Sequence, residues 1–257
     1  MTTATQNPME WPSDVRTLAI DVGGSGLKAG LLDASGAMVT ERVRVPTPYP
    51  CSPERLVAAL VALTSPLPAP HRVTVGFPGL VRHGRVLNAP NLVRTGPGGP
   101  VDPKMSKAWH GHDLATSLAE AFELPVKVAN DADVQGCAVV RGEGVEFVMT
   151  LGTGVGTALF DNGRLLPHLE LSHSPFRKGQ DYDEQIGEAA RQQISPKRWN
   201  ERVRLAIETF DAFLFFDTVY VGGGNAKRII GDLGPRAVLV PNAAGILGGI
   251  RIWELDT

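Results

Sequence analysis

The sequence predicts an α/β protein made of two related lobes. Stretches with strand character alternate with helical stretches along the 257 residues, of which 43% are apolar. A unit of strand, glycine-rich turn and strand also occurs twice. Gly152 follows Gly23 by 129 residues and Asp161 follows Asp33 by 128, each about half of the chain. Two such hairpins could agree by chance, but agreement at two points of the unit favours an internal duplication.

The first half contains strands and helices in alternation. Ser52 and Pro53 are typical of a helix start, because serine caps a helix and proline fits its first position. Residues 88–108 are rich in glycine, proline and asparagine and are predicted to be irregular. In chain order we expect strands at 17–22, 27–32 and 37–45, a helix at 52–63, a strand at 72–76, a hairpin around 82–85, a helix at 112–123, and a strand at 126–129 that leads into a helical segment.

The second half begins like the first. Residues 167–187 are predicted to be a polar loop, and Ser195 and Pro196 begin a long amphipathic helix. The expected elements are strands at 146–151 and 157–160, a turn at 161–163, the helix from 195, strands at 218–221 and 237–240, and a closing helix capped by Asn242. The predicted units are a flexible tail at 1–14, an N-terminal lobe at 15–130 and a C-terminal lobe at 131–257. The last helix is a candidate to pack back on the N-terminal lobe.

Composition excludes several classes of protein. The 25 positive and 27 acidic side chains give a formal net charge of −2, which argues against a nucleic-acid binder. No apolar run is long enough for a membrane span or a signal peptide, so no membrane partner is expected. Cys51 and Cys137 do not make a disulfide framework, and a reducing, cytoplasmic location fits best.

Many of the 29 glycines cluster in turns that follow strands. Such turns serve phosphates, because missing side chains let backbone N–H groups approach phosphate oxygens. P-loops and dinucleotide-binding fingerprints need a helix directly after the glycines, but Leu27–Leu32 and Thr157–Phe160 have strand character. A tight hairpin whose glycines serve turn geometry alone is the common alternative. Asp21, an acid at the end of the first strand, favours a metal-bound phosphate at the turn.

Three motifs together resemble those of the ROK sugar kinases, which belong to the actin/hexokinase-like ATPases. Residues 21–28 and 151–156 resemble the two phosphate motifs of that family, and 221–224 resembles the motif that flanks the adenosine. The motifs occur in the family's order, and the resemblance covers 16–255. Within the family the chain is most similar to bacterial polyphosphate glucokinases. The resemblance implies a duplicated ribonuclease-H-like fold with two lobes and an interlobe cleft.

The resemblance also implies where the phosphoryl donor and its metal bind. The implied phosphate- and nucleotide-binding residues are Asp21, Gly23, Gly24, Ser25, Gly26, Lys28, Gly152, Thr153, Gly154, Gly223 and Gly224. Mg²⁺ is the implied cofactor, held near Asp21 through phosphate or water. Many ROK proteins carry a zinc-binding cysteine cluster, but residues 174–179 contain no cysteine, so structural zinc is not expected.

Asn130 and Asp131 follow a buried strand. A carboxylate there is a reasonable general base, while helix capping is the more frequent role of such residues. The resemblance implies that Asp131 is the catalytic base, which takes the proton from a sugar hydroxyl as its oxygen attacks the terminal phosphoryl group. It also implies that Asn130 binds the sugar.

Further sugar-binding residues are implied on both sides of this pair. The implied set is Asn88, Asn130, Glu170, His173 and Glu184. Residues 170–173 resemble the family's Glu-x-Gly-His motif, although Ser172 replaces the glycine. Glu188 is the alternative to Glu184, and Asn88 is as easily explained as a turn residue.

The function that the resemblance implies is phosphorylation of a hexose, with glucose to glucose 6-phosphate as the first choice. The donor would be polyphosphate, ATP or both, and the protein would be a homodimer. Open alternatives are a strictly ATP-dependent kinase, a kinase for another sugar, and a non-catalytic sugar-sensing ROK protein. Such regulators usually carry an N-terminal helix-turn-helix, for which the roughly 14 residues before the first strand are too few. Because Asp131 is also retained, an enzyme is favoured.

Basic residues outside these motifs suggest a path for a polyphosphate chain. The hypothesised track consists of Lys104, Lys107, Arg177, Lys178, Lys197 and Arg198. Charges of this kind more often face solvent without a ligand.

Overall fold

Two five-stranded sheets form the centre of the protein. The computed structural model describes residues 10–240 and 244–254. The strands are β1 Thr17–Val22, β2 Gly26–Leu32, β3 Val43–Pro46, β4 Arg72–Phe77, β5 Val81–Arg82, β6 Arg85–Val86, β7 Val126–Asn130, β8 Val145–Leu151, β9 Val155–Asp161, β10 Arg164–Leu165, β11 Pro175–Arg177, β12 Gln180–Asp181, β13 Thr218–Gly222 and β14 Ala237–Leu239. The helices are α1 Pro53–Thr64, α2 Pro103–Trp109, α3 Leu114–Phe122, α4 Asp131–Cys137, α5 Tyr182–Ile186, α6 Glu188–Gln193, α7 Pro196–Leu214 and α8 Ala244–Arg251.

The two sheets have the same topology. The N-terminal sheet has the strand order β3-β2-β1-β4-β7, and the C-terminal sheet has the order β10-β9-β8-β13-β14. In each sheet the first three strands along the chain form an antiparallel meander, and the other two continue the sheet in parallel with the first. The C-terminal sheet is therefore a topological copy of the N-terminal one. The predicted duplicated α/β fold is confirmed.

Amphipathic helices cover the sheets. Helix α1 begins at Ser52, whose hydroxyl accepts the N–H of Arg55, and Leu56 is buried in the core of the N-terminal sheet. Helix α7 begins in the same way at Ser195, and its Phe210 is buried in the core of the C-terminal sheet. The predicted helix starts at Ser52 and Ser195 are therefore both present, and the apolar face of each helix packs on its own sheet.

Helix α4 packs between the two sheets, and α8 packs on α4 and on the N-terminal sheet. Helix α4 contacts β4 and β7 of the N-terminal sheet and β8 and β9 of the C-terminal sheet, and α8 packs on α4, β1 and β4. The Thr74 hydroxyl of β4 donates to the carbonyl of Gly249 in α8 at 2.6 Å. Because α4 contacts both sheets, the lobe boundary between residues 130 and 131 stays a prediction.

Replacing Gly248 with alanine is expected to destabilise the protein by about 1–3 kcal/mol, because an added methyl group overfills the contact between α8 and α4. A Cβ atom at Gly248 would lie 1.5 Å from the carbonyl oxygen of Val134. Thermal or urea unfolding measures the loss. Gly96→Ala is the control, since no atom lies within 4 Å of a Cβ placed there. Equal stability of the two variants would contradict the packing described.

The predicted strand at 37–45 is wrong over most of its length. Only Val43–Pro46 forms β3, which pairs with the start of β2. Closer to the turn, the N–H of Leu31 donates to the side-chain hydroxyl of Thr40 instead of to a backbone carbonyl. The Asp33 carboxylate accepts the N–H groups of Ser35 and Ala37 and holds the turn itself. Side-chain oxygens therefore accept N–H groups that backbone carbonyls would accept in a continuous strand pairing.

Two stretches predicted to be irregular contain regular elements. In 88–108, Asp102 caps α2 by accepting the N–H of Lys104, and proline occupies the first helical turn. In 167–187, β11 and β12 form a two-stranded sheet and α5 follows. Asp181 caps α5 in a capping box with Glu184. Both starts carry a recognisable cap, but the high content of glycine, proline and polar residues hides it.

Two of the predictions concern the ends of the chain. Asn242, the predicted cap of the closing helix, and residues 1–9 of the predicted tail lie outside the described residues. Trp11 packs edge-to-face against Trp253 with ring centroids 5.4 Å apart. Across 10–240 and 244–254, no helix combines the length and apolar character needed to span a bilayer.

Candidate active site

A cleft of about 700 Å³ opens between the two halves of the chain. Both glycine turns reach it, because each turn follows the central strand of its sheet. Residues from both halves line it, among them Asp21, Gly24, Asp131, Gly152, Glu170 and Gly223. Most of the predicted phosphate-binding residues therefore meet in one place.

The first glycine turn joins β1 to β2. Asp21 lies opposite Lys28 in the register of the two strands, and the Lys28 ammonium is 2.9 Å from an Asp21 carboxylate oxygen. The N–H of Gly23 donates to the carbonyl of Gly26, which closes the turn. Gly26 itself lies outside the cleft lining, whereas Gly23, Gly24, Ser25 and Lys28 belong to it. Gly26 therefore closes the turn through its carbonyl but does not line the cleft.

Side chains that the sequence did not point to brace this first turn. The Thr47 hydroxyl donates to the carbonyl of Gly23, and the Tyr49 hydroxyl donates to the carbonyl of Gly24, each at 2.6 Å. A Cβ atom on Gly24 would lie 3.0 Å from the Cβ of Asn91. The turn is therefore held on two sides by the chain that follows β3 and by the 88–102 segment.

The second glycine turn and the end of β13 form one continuous surface. The N–H of Gly152 donates to the carbonyl of Gly154 at 2.9 Å. The side-chain amide of Asn225 donates to the carbonyl of Gly152 at 3.2 Å. Gly223 has a φ of +84°, and a Cβ atom there would lie 2.5 Å from the carbonyl oxygen of Leu151. Only glycine fits this close approach of two backbones.

Two acidic side chains brace the second turn, and the sequence did not single out this role for them. An Asp183 carboxylate oxygen accepts the N–H of Val155 at 2.7 Å. Glu188 accepts the amide of Asn225 at 2.8 Å and forms a bidentate pair with Arg191. The hydrogen bonds from Arg191 and then Gln192 lower the pKa of Glu188 to about 2. Glu188 therefore stays ionised and keeps Asn225 in place.

Asn130 and Asp131 lie next to each other at the start of α4 but have different surroundings. Asn130 caps α4, since its side-chain oxygen accepts the N–H of Ala132 at 2.7 Å and its amide donates to the carbonyl of Gly79. Asp131 is the first residue of α4 and is half-buried in the cleft wall. Burial and then the charge of Asp21 raise the pKa of Asp131 to about 7. A carboxyl group with such a pKa can take up a proton near neutral pH.

The predicted sugar-binding residues do not all reach the cleft. Glu170 and His173 line it, and His173 is 3.8 Å from an Asp183 oxygen. Glu184 is exposed outside the lining, because its carboxylate accepts the N–H of Asp181 in the capping box. Its neighbour Asp183 lines the cleft in its place.

Asn88 also lies outside the cleft lining. It is exposed, and its backbone carbonyl accepts the N–H of Leu80 at 3.1 Å. A Cβ atom on Gly79 would lie 2.2 Å from that carbonyl oxygen. This is the position of a turn residue packed against a glycine, which was the alternative explanation of Asn88.

One ion pair in the cleft wall could not be predicted from the sequence. His168 and Asp133 are buried, with exposed fractions of 6% and 3%, and His168 Nδ1 is 2.9 Å from an Asp133 oxygen. His168 Nε2 is 3.7 Å from a Glu170 oxygen, which is longer than a hydrogen bond. A lone histidine in a polar segment carries no sequence signal of such a partnership.

The acidic groups of the cleft suit a hard cation. Mg²⁺ is commonly held by one or two carboxylates together with substrate phosphates and water. Asp21 offers a half-exposed carboxylate beside the first turn. Within the described ranges, no group of three or more His, Cys, Asp or Glu side chains is placed to hold a metal ion. Asp21, which forms an ion pair with Lys28, is a single carboxylate of the kind that contacts a phosphate-bound Mg²⁺.

The basic side chains of the cleft are not those of the hypothesised track. Lys28, Arg42 and Arg94 belong to the lining, and the six residues of the track lie outside it. Arg94 is held in place by hydrogen bonds to the carbonyls of Pro90 and Gly99.

Comparison with known proteins identifies the family of the chain. A model of the ROK family matches residues 17–168. A polyphosphate glucokinase of Mycobacterium tuberculosis is 28% identical, with 93% of this chain and 91% of the relative covered. An N-acetylmannosamine kinase of Escherichia coli is 36% identical over 155 residues, with 58% and 49% covered. The crystal structure of an inorganic polyphosphate/ATP-glucomannokinase from an Arthrobacter species matches with a TM-score of 0.77 and 30% identity, with 94% and 99% covered. The chain belongs to the ROK family.

Proposed function

We propose that the chain is a hexose kinase that phosphorylates glucose at its 6-hydroxyl, with polyphosphate, ATP or both as donor. One observation carries the proposal. A half-buried carboxyl group, Asp131, whose pKa is raised to about 7 chiefly by burial, lines the same cleft as two glycine turns. The family, the polyphosphate glucokinase relative and the polyphosphate/ATP-glucomannokinase neighbour support this assignment.

Asp131 acts as the general base in this proposal. The sugar oxygen forms a bond to the terminal phosphorus of the donor, the bond from that phosphorus to the leaving oxygen breaks, and the hydroxyl proton passes to Asp131. A carboxylate with an ordinary pKa near 3.9 would be a weak acceptor for that proton. Burial of Asp131 makes it a stronger base, while Asn130 fixes the helix start on which it lies.

The glycine turns hold the phosphates. Phosphoryl transfer is accelerated chiefly by positioning and by stabilising charge on the phosphoryl oxygens. Gly24, Ser25, Thr153 and Gly154 of the two glycine turns line the cleft, where their backbone N–H groups would contact the phosphates, and Lys28 adds a positive charge. Mg²⁺ near Asp21 would supply further positive charge to the donor when bound.

Glu170, His173 and Asn130 hold the sugar in this proposal. Asp183 takes the place that the sequence suggested for Glu184, since it lines the cleft and lies beside His173. The homodimer implied by the resemblance remains a prediction.

Another acceptor sugar is the second candidate. The 36% identity to an N-acetylmannosamine kinase covers 155 residues, and the neighbour with a TM-score of 0.77 is a glucomannokinase. Ser172 and Asp183, which lie on the acceptor side of the cleft, are the positions where this choice would be made.

A panel of donors and acceptors tests the proposal. The purified protein is assayed with ATP and with long-chain polyphosphate against glucose, mannose, fructose and N-acetylated hexosamines. The expected result is the highest kcat/KM with glucose and Mg²⁺-dependent transfer from at least one donor. A higher kcat/KM for another sugar would favour the second candidate, and no sugar-dependent transfer with any donor would refute both.

Replacing Tyr49 with phenylalanine is expected to raise the KM for the phosphoryl donor about 2- to 10-fold, with a smaller effect on the KM for glucose. The change removes one neutral hydrogen bond that holds the carbonyl of Gly24, and such a bond contributes about 0.5–1.5 kcal/mol. Steady-state kinetics with each substrate varied in turn measures the split. Tyr220→Phe is the control, because the Tyr220 hydroxyl donates to Glu146 in the core of the C-terminal sheet. An equal change in both KM values would contradict a role at the donor turn.

A further inference from the structure

We propose that His168 is a sugar-binding residue, which donates from Nε2 to one hydroxyl of the hexose, and that Asp133 is the residue that positions it. The proposal deepens the hexose-kinase assignment and rests on it. Three observations carry it: a buried ion pair, a ring nitrogen without a hydrogen bond, and a carboxylate 3.7 Å from that nitrogen.

The ion pair fixes how the imidazole is presented. The Nδ1 atom of His168 is 2.9 Å from a carboxylate oxygen of Asp133, and both side chains are almost completely buried. An ionised carboxylate can only accept, so the Nδ1 atom carries the proton of this bond. The ring is thereby held with Nε2 as its free end, and His168 lines the cleft.

The acceptor beside the free end of the ring, Glu170 Oε1, lies 3.7 Å away, beyond hydrogen-bond distance. His168 Nε2 is buried and makes no hydrogen bond in the part of the chain that the structure describes. A buried donor without an acceptor is unfavourable, and proteins seldom keep one unless a ligand or water satisfies it. If the ion pair were purely structural, nothing would explain why Nε2 lacks a hydrogen bond at the cleft wall. A ligand bound in the cleft would supply the missing acceptor.

The neighbouring charges make Nε2 a donor. Burial lowers the pKa of His168, but the hydrogen bond to Asp133 and the negative charges of Asp133 and Glu170 outweigh burial and raise it to about 9. The imidazole is therefore protonated on both nitrogens at neutral pH. Burial raises the pKa of Asp133, and the hydrogen bond and charge of His168 oppose that rise.

A hydroxyl group is the ligand that suits this pair of atoms. A donor at Nε2 and an acceptor at Glu170 Oε1 lie 3.7 Å apart on the cleft wall. A sugar hydroxyl can accept from the first and donate to the second at the same time. A hydrogen, a fluorine or a methoxy group at that carbon cannot do both. The pair should therefore discriminate for one free hydroxyl of the hexose.

Binding of single-hydroxyl analogues tests the assignment. Calorimetry gives the Kd of glucose and of 1-, 2-, 3- and 4-deoxyglucose for the wild type and for His168→Ala and His168→Gln. We expect the wild type to bind one of these analogues about 10- to 100-fold more weakly than glucose through the loss of a charged hydrogen bond. In His168→Ala that one ratio should fall towards 1, while the ratios for the other three analogues stay as in the wild type. Each ratio is taken within one protein preparation, so a loss of stability cancels.

The Asp133 variants separate positioning from structure. Asp133→Asn keeps an acceptor for Nδ1 and should retain part of the discrimination, whereas Asp133→Leu should lose it and raise the KM for glucose with little change in the KM for the donor. His110→Gln is the control, since His110 is exposed and outside the cleft lining. The proposal is overturned if His168→Ala discriminates among the four analogues as the wild type does. Sugar binding that follows the expected pattern without any phosphoryl transfer would refute the kinase assignment and leave this one standing.

Discussion

Replacing Asp131 with asparagine is expected to lower kcat by about 10²- to 10⁴-fold, the range typical of a general base. The side chains of Asn130 and Asp131 both accept the N–H of Ala132, and asparagine at 131 has nearly the same shape and keeps an oxygen for this bond, so the fold should persist. What is lost is the acceptor for the hydroxyl proton. Steady-state kinetics at saturating sugar and donor measures the effect, with Asp14→Asn, an exposed residue outside the cleft lining, as control.

The pH profile of the wild type is a second test of the role of Asp131 as general base. Because the pKa of Asp131 is raised to about 7, the carboxyl is protonated below that pH and cannot accept a proton. The value of kcat/KM is therefore expected to fall about tenfold per pH unit below pH 7 and to level off above it. Asp131→Asn should lack this limb. A wild-type profile that stays flat down to pH 5, or an asparagine variant with full rate, would show that Asp131 is not the base.

Replacing Gly223 with alanine is expected to have the largest effect among the glycine changes. At a φ of +84° an alanine is strained by about 1–2 kcal/mol, and its Cβ would lie 2.5 Å from the carbonyl oxygen of Leu151. Strain and overlap together should destabilise the protein by about 2–5 kcal/mol. Relief of the overlap requires the turn after β8 to move. Since a displacement of about 1 Å can cost roughly 10²-fold in rate, kcat/KM for the donor should fall by at least that factor.

Gly224 is the matched control for this change. A Cβ atom at Gly224 meets nothing within 4 Å, so the same added methyl group one residue farther along should alter the unfolding free energy by less than about 0.5 kcal/mol. Thermal unfolding of both variants measures the difference. Similar stability for the two would contradict the close approach of β13 to the end of β8.

Local signals account for most of the fold that could be predicted. The starts of α1 and α7 were visible because Ser52 and Ser195 are each followed by proline. The duplicated meander was visible because its glycine turns need positions without side chains. The prediction of a strand at 37–45 was wrong because the Thr40 hydroxyl, and not a backbone carbonyl, accepts the N–H of Leu31. The spacing of apolar residues carries no information about which oxygen accepts a backbone N–H.

In the candidate site, too, the features with a local sequence signal could be predicted and the others could not. The positions of Asp21 and Asp131 at the cleft could be predicted, because Asp21 lies near the end of β1 beside a glycine turn and Asp131 follows β7 at a helix start. The braces could not, because they join segments far apart in the chain: Tyr49 to Gly24, Asp183 to Val155, and His168 to Asp133. Each of these bonds depends on the packed arrangement of two or more elements. The predicted sugar contact of Glu184 stays a prediction: its carboxylate is engaged in the capping box of α5, and its neighbour Asp183 lines the cleft.

Direct observation of the product tests the central claim most plainly. Phosphorus-31 NMR of the purified protein with glucose, Mg²⁺, and either ATP or polyphosphate follows the donor and the product together. We expect a phosphomonoester on the 6-oxygen of glucose that grows as the donor is consumed and that is absent without sugar. Donor consumption that does not depend on any hexose, or no transfer from either donor, would contradict the account.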